Sequence, residues 1–93
     1  MAIQSFACRD TEELWRTGQS RRFQGVASVA LRKLDMLDAA VALADLRVPP
    51  GNRLERLAGD RAGQHSIRVN DQWRVCFVWT AAGPAGVQIV DYH

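Results

Sequence analysis

His65-Ser66-Ile67-Arg68-Val69, then Asn70-Asp71-Gln72, then Trp73-Arg74-Val75-Cys76-Phe77-Val78-Trp79-Thr80 is the run that decides the fold. The first and last pieces are rich in β-branched and aromatic residues, which suit a pleated, half-buried surface. Asn and Asp between them tolerate the left-handed region and close tight turns. The spacing predicts two antiparallel strands. Ile67 and Val69 face the core. Trp73, Val75, Phe77 and Trp79 share one face of the second strand, and Arg74, Cys76 and Val78 share the other.

Downstream, Ala81 to Gly86 reads as a turn and Val87 to His93 as a last strand. Upstream, Arg53-Leu54-Glu55-Arg56-Leu57 alternates as a further strand, and Ala58 to Gly63 turns it into the next one. Asp45 to Asn52, with two prolines, a glycine and an asparagine, is a loop that no helix can continue through. Before it, Val26, Ala30, Leu34, Leu37, Val41 and Ala44 keep one helical stripe. That stripe runs for about 18 residues, roughly 27 Å of helix. It is a core face, with part of its flank left for a partner. A shorter helix starts at an N-cap on Asp10 or Thr11 and stops at Gly18, and Ile3, Phe6 and Cys8 suggest an opening strand. The expected architecture is α+β in the order β-α-α-β-β-β, with both helices on one face of a small antiparallel sheet, in a single domain over residues 1–93.

Composition excludes several classes. With 93 residues there is room for one core. Hydrophobic residues make up 47% and charged residues 24%, the balance of a globular domain and not of a disordered tail. Two cysteines, Cys8 and Cys76, cannot staple a secreted fold and read as small buried hydrophobes. No apolar run is long enough to cross a bilayer, and the first residues do not form a secretory signal, so the expected compartment is the cytoplasm, away from any membrane. No zinc-type ligand spacing, phosphate-binding glycine loop or nucleophile elbow is present, and no metal or cofactor is expected.

The net charge is only +2, but eleven of the 12 basic residues are arginine, and Lys33 is the sole lysine. Residues 47–74 carry six arginines against Glu55, Asp60 and Asp71. An all-arginine excess suits phosphate, which the guanidinium fork binds bidentately. Equally, a GC-rich genome writes arginine where others write lysine. The sequence then closes on Asp91-Tyr92-His93: a carboxylate, a phenol and an imidazole after an apolar strand, with Arg74 on a neighbouring strand. These are the parts for cleaving RNA without a metal, with the ribose 2′-oxygen attacking the adjacent phosphate. The alternative is an exposed tail with a stray histidine. His65 reads as a structural or surface residue, and Trp73 and Trp79 as core, with base stacking the lesser reading.

Taken together, Arg53-Leu54, Leu57, Gly59-Asp60-Arg61-Ala62-Gly63, Ser66 to Phe77 and Asp91-Tyr92-His93, with Ile3 to Phe6 and Arg21-Arg22-Phe23, resemble the HigB-type toxins (plasmid maintenance killer proteins) of the RelE/ParE superfamily. The resemblance covers nearly the whole chain. It implies the toxin of a type II toxin–antitoxin system, a ribosome-dependent endoribonuclease that cuts mRNA in the ribosomal A site. It also implies a HigA-type helix-turn-helix antitoxin, and operator DNA contacted only through the toxin–antitoxin complex. Matched residue by residue, Arg74 stabilises the scissile phosphate, and Asp91, Tyr92 and His93 sit in the active site, with His93 first choice for proton transfer. Arg53, Arg56, Arg61 and Arg68 grip RNA backbone. Some relatives carry His where Glu55 stands and Lys near Ala58, which leaves Glu55 as the candidate general base here. Relatives of the same fold that poison DNA gyrase by binding supply the alternative function; they lack the Asp-Tyr-His ending.

Overall fold

The computed structural model describes residues 2–92. Helix α1 spans Arg9–Thr17 and α2 spans Ala27–Ala39. Short 3₁₀ turns follow at Leu43–Arg47 and Pro50–Asn52. The strands are β1 (Glu55–Arg56), β2 (His65–Arg68), β3 (Trp73–Thr80) and β4 (Gly83–Asp91), with a 3₁₀ turn at Gly59–Arg61 between the first two. They form one antiparallel sheet in the order β1-β2-β3-β4. This is the expected α+β domain. Among the described residues no helix is long and apolar enough to cross a membrane.

The β2–β3 hairpin forms as its sequence predicts. Asn70 Oδ1 accepts hydrogen bonds from the backbone N–H groups of Gln72 (2.9 Å) and Trp73 (2.8 Å), fixing the turn. The resulting register sets Ile67 against Val75 and Arg68 against Arg74. On one face Ile67, Val69, Val75 and Phe77 join Val87 and Ile89 of β4 and meet Leu14, Phe23, Ala30, Leu34, Leu37 and Leu46 in one buried cluster. Phe23, in the basic connection between the helices, is fully buried and meets Trp73 edge-on with ring centroids 5.2 Å apart. Trp73 and Trp79 are partly buried against this core.

Several expected boundaries move, each for a visible reason. The opening strand is only an extended segment with a single parallel bridge, Phe6 to Val87. Pro84 has no N–H, and the Gly86 N–H turns to Ser5 Oγ, so the ladder cannot lengthen. Helix α1 has Cys8, not Asp10 or Thr11, at its N-cap. Thr11 lies inside the helix because its Oγ1 accepts from the Ile89 N–H at 2.9 Å, covering the outer edge of β4. Gly18 ends the helix as expected, at φ 79°. Helix α2 stops at Ala39, short of the predicted stripe, and Val41 is left exposed. The Asp45 carboxylate takes the N–H groups of Val41 and Ala42, both at 3.0 Å, and starts the next turn instead. These two bonds hold the Asp45 carboxyl below its ordinary range. Strand β4 begins at Gly83 rather than Val87, since the hairpin turn is only Ala81-Ala82 and a bulge between Cys76 and Val78 absorbs the irregularity. Strand β1 keeps two of its five expected residues.

Candidate active site

The helices cover one face of the sheet; the site is on the other. Alternation along β3 turns Arg74 and Cys76 away from the core face held by Val75 and Phe77. Arg74 is nonetheless only 7% exposed, and Cys76 is fully buried. Burial pushes the Cys76 thiol up, against the nearby Arg61 and Arg74 guanidinium groups, so it stays a neutral packing residue. Cys8 is half-buried.

A buried guanidinium needs acceptors, and Arg74 has them. Its Nε donates to Ser66 Oγ at 2.8 Å. Its Nη2 donates to the Arg53 carbonyl at 2.6 Å and the Ser66 carbonyl at 3.4 Å. The Glu55 carboxylate lies 3.9 Å from the same nitrogen and is half exposed. The Tyr92 ring sits 5.7 Å from the guanidinium carbon, in cation–π range. Tyr92 is 40% exposed, and its N–H donates to the Gln72 carbonyl at 2.6 Å, which ties the chain end to the β2–β3 turn.

Arg53 can offer its carbonyl because its backbone is left-handed, φ 45°, directly after the Pro50–Asn52 turn. Asn52 holds that turn. It is fully buried, donates through Nδ2 to the Leu46 (3.2 Å) and Val48 (3.4 Å) carbonyls, and accepts from Lys33 Nζ at 2.6 Å. Partial burial lowers the Lys33 pKa, helped by Arg32 and Arg68.

The structure therefore gathers Arg74, Tyr92, Glu55 and the Arg53 backbone. Arg68 shares the face, opposite Arg74 in the register, and pairs with Asp71 beside the turn. Arg61 donates to Gln64 Oε1 at 3.2 Å. Two expected residues face elsewhere. Asp91 pairs with Trp73 in the ladder, which sets it on the core face, and its carboxylate accepts from Gln72 Nε2 at 3.2 Å. Arg56 pairs with His65, which stacks near Phe77, and together they line a cleft of about 500 Å³ with Arg47, Leu43, Ala44 and Leu54. His93 lies outside the described residues. Sequence reasoning missed Ser66 and Asn52. The signal for Ser66 was present: a lone hydroxyl two residues before Arg68, on the face the hairpin register assigns to Arg74. Among the described residues no group of three or more His, Cys, Asp or Glu side chains could hold a metal ion.

Two helices on one side of an antiparallel sheet are shared with solved toxin structures. A chain of the YoeB–YefM complex from Staphylococcus aureus superposes with a TM-score of 0.57 at 15% identity, covering 100% of this chain and 99% of that one. The YoeB/ParE toxin from Agrobacterium tumefaciens gives 0.54 at 16% identity, with the same coverage. The fold is thus shared with these toxin structures. A family model described as the RelE-like toxin of the type II toxin–antitoxin system HigB matches residues 4–93, and the chain belongs to that HigB-like family. Toxin HigB-1 from Vibrio cholerae is 54% identical over 54 residues, 58% of this chain and 57% of that protein. A protein from Haemophilus influenzae is 47% identical over 49 residues, 53% of this chain and 48% of that protein. The matched stretches thus span about half the length of these relatives.

Proposed function

We propose that this protein is a ribosome-dependent endoribonuclease that cuts mRNA in the ribosomal A site as the toxin of a type II toxin–antitoxin pair. The observation that carries the reading is the Arg74 guanidinium, buried, anchored on one edge and met by the Tyr92 ring on the sheet face away from the helices. The ribose 2′-oxygen attacks the neighbouring phosphorus, and the bond to the 5′-oxygen breaks, leaving a 2′,3′-cyclic phosphate and a 5′-hydroxyl. Charge gathers on the non-bridging oxygens, where a fixed guanidinium stabilises it without reorganising. A base takes the 2′-hydroxyl proton and an acid returns one to the leaving 5′-oxygen. His93 is assigned proton transfer, with Tyr92 beside the phosphate and Asp91 supporting the chain end through Gln72. Glu55, whose carboxylate lies 3.9 Å from Arg74, is taken as the candidate base. Arg53, Arg61 and Arg68 hold RNA backbone around this face. A HigA-type helix-turn-helix antitoxin would neutralise the toxin in the cytoplasm, and the pair would contact operator DNA through the antitoxin.

The test is expression of wild type, Arg74→Ala and His93→Ala without antitoxin. Loss of one preorganised charge stabiliser costs about 10²–10³ in rate. Wild type should arrest growth and fragment mRNA, and both folded variants should do neither. Growth arrest with intact mRNA and accumulating DNA breaks would replace the nuclease reading with target binding of the gyrase-poisoning kind.

A further inference from the structure

Arg74 spends its hydrogen bonds unevenly. Nε and Nη2 both point into the protein, to Ser66 and to the Arg53 carbonyl. Nη1 carries no hydrogen bond to any described residue. A guanidinium tied along one edge keeps its plane and presents the remaining end in a fixed direction. Ser66 is fully buried at the centre of β2, between Glu55 of β1 and Cys76 of β3 in the register. A buried hydroxyl on a strand needs a partner, and this one has the arginine. The second anchor is equally built. Arg53 adopts a left-handed backbone that non-glycine residues rarely hold, and its carbonyl points at Nη2.

We propose that Ser66, with the Arg53 carbonyl, is the positioning device for Arg74: it clamps the Nε edge of the guanidinium so that the Nη1 end meets the RNA phosphate. This rests on the nuclease reading above. Ser66 touches no substrate in this scheme and acts only through Arg74. Displacing a catalytic group by about 1 Å can cost about 10²-fold in rate, so loosening the clamp should slow cleavage without removing the charge.

The experiment compares wild type, Ser66→Ala, Ser66→Cys and Ser66→Thr, and repeats the alanine change on an Arg74→Lys background. Cleavage of mRNA on translating ribosomes is followed under single-turnover conditions, and the Arg74 Nε–H resonance of the free protein is followed by NMR. Ser66→Cys fills nearly the same volume with a poor acceptor, and so serves if the alanine variant does not fold. The expected result is an exchange-protected Nε–H in wild type and Ser66→Thr, and loss of that protection in Ser66→Ala and Ser66→Cys. Cleavage should fall about tenfold or more in the same two variants, with Ser66→Thr restoring it. On the Arg74→Lys background Ser66→Ala should cause no further fall, since lysine has no Nε–H branch for the hydroxyl to hold. If Arg74→Lys is slow but Ser66→Ala cleaves as wild type, the positioning role is overturned while the nuclease reading stands. An equal fall on both backgrounds overturns it in the same way, as a general packing effect. If Arg74→Lys itself cleaves like wild type, the reading of the site falls and the clamp with it.

Discussion

Replacing Asn52 by alanine should unfold the protein far more readily than its position in a loop suggests. The side chain is fully buried and joins three parts of the chain: α2 through Lys33, and the Leu46 and Val48 carbonyls of the preceding loop. Leu46 is itself buried, so its carbonyl loses a partner without gaining water. An unsatisfied buried acceptor costs about 1–3 kcal/mol, and an ordinary bond such as that to Val48 about 1. The bond from Lys33 is charge-assisted, but its ammonium can turn to solvent, so it adds about 1. The total is about 3–5 kcal/mol, against about 5–15 for a whole domain. Urea denaturation should show the midpoint falling with an unchanged slope. Asn52→Asp keeps the acceptor for Lys33 but aims oxygen at two carbonyls, and should lose at least as much. A loss under about 1 kcal/mol for Asn52→Ala, or an aspartate variant as stable as wild type, would refute the assignment of Asn52 as the hub of this turn.

Thr11→Ala removes the acceptor from the buried Ile89 N–H and should cost about 1–3 kcal/mol in urea melts; Thr11→Ser, which keeps the oxygen, should recover most of it. His65 has a buried Nδ1 with no hydrogen-bond partner among the described residues, and desolvation, then Arg56, lowers its pKa. Its neutral form is therefore favoured by folding, and its contribution is intact above pH about 6.5 and is lost as pH falls through the lowered folded value. His65→Phe should gain stability relative to wild type between pH 7.5 and pH 5, and a difference that stays flat over that range would contradict this. Ribosome affinity should weaken as salt rises, and Arg61→Gln and Arg68→Gln should each shallow that dependence by about one charge, read by sedimentation at several salt concentrations. Arg56→Gln, on the far face, should leave the slope as in wild type.

The hairpin was legible because period-two alternation and an Asn-Asp turn agree, and register then follows from turn geometry. Arg74 could be read for the same reason, since it lies on a strand whose faces the alternation assigns; Tyr92 follows directly on β4. Asp91 shows the limit. Residues adjacent in a motif point to opposite faces of a strand, so Asp91 and Tyr92 part company however tightly they are packed in sequence. Helix α2 was overrun because apolar spacing cannot register a competing side chain, here Asp45, that takes the next two N–H groups. Gly83 to Ala85 looked like part of a turn by composition, yet the bulge in β3 lets those residues pair. Ser66 carried a signal in the hairpin register that sequence reasoning missed. Asn52 sat in a stretch that reads as loop, where nothing in the sequence shows that its side chain is buried against the Leu46 and Val48 carbonyls and Lys33.

The most direct measurement is the mapping of RNA ends on purified translating ribosomes given wild-type protein or Arg74→Ala. Wild type should leave cuts within the A-site codon, each with a 2′,3′-cyclic phosphate upstream and a 5′-hydroxyl downstream, and the variant should lower their rate by about 10²-fold or more. Messages left whole by the wild-type protein, or cut as quickly by Arg74→Ala, would contradict a guanidinium-centred nuclease on this face of the sheet.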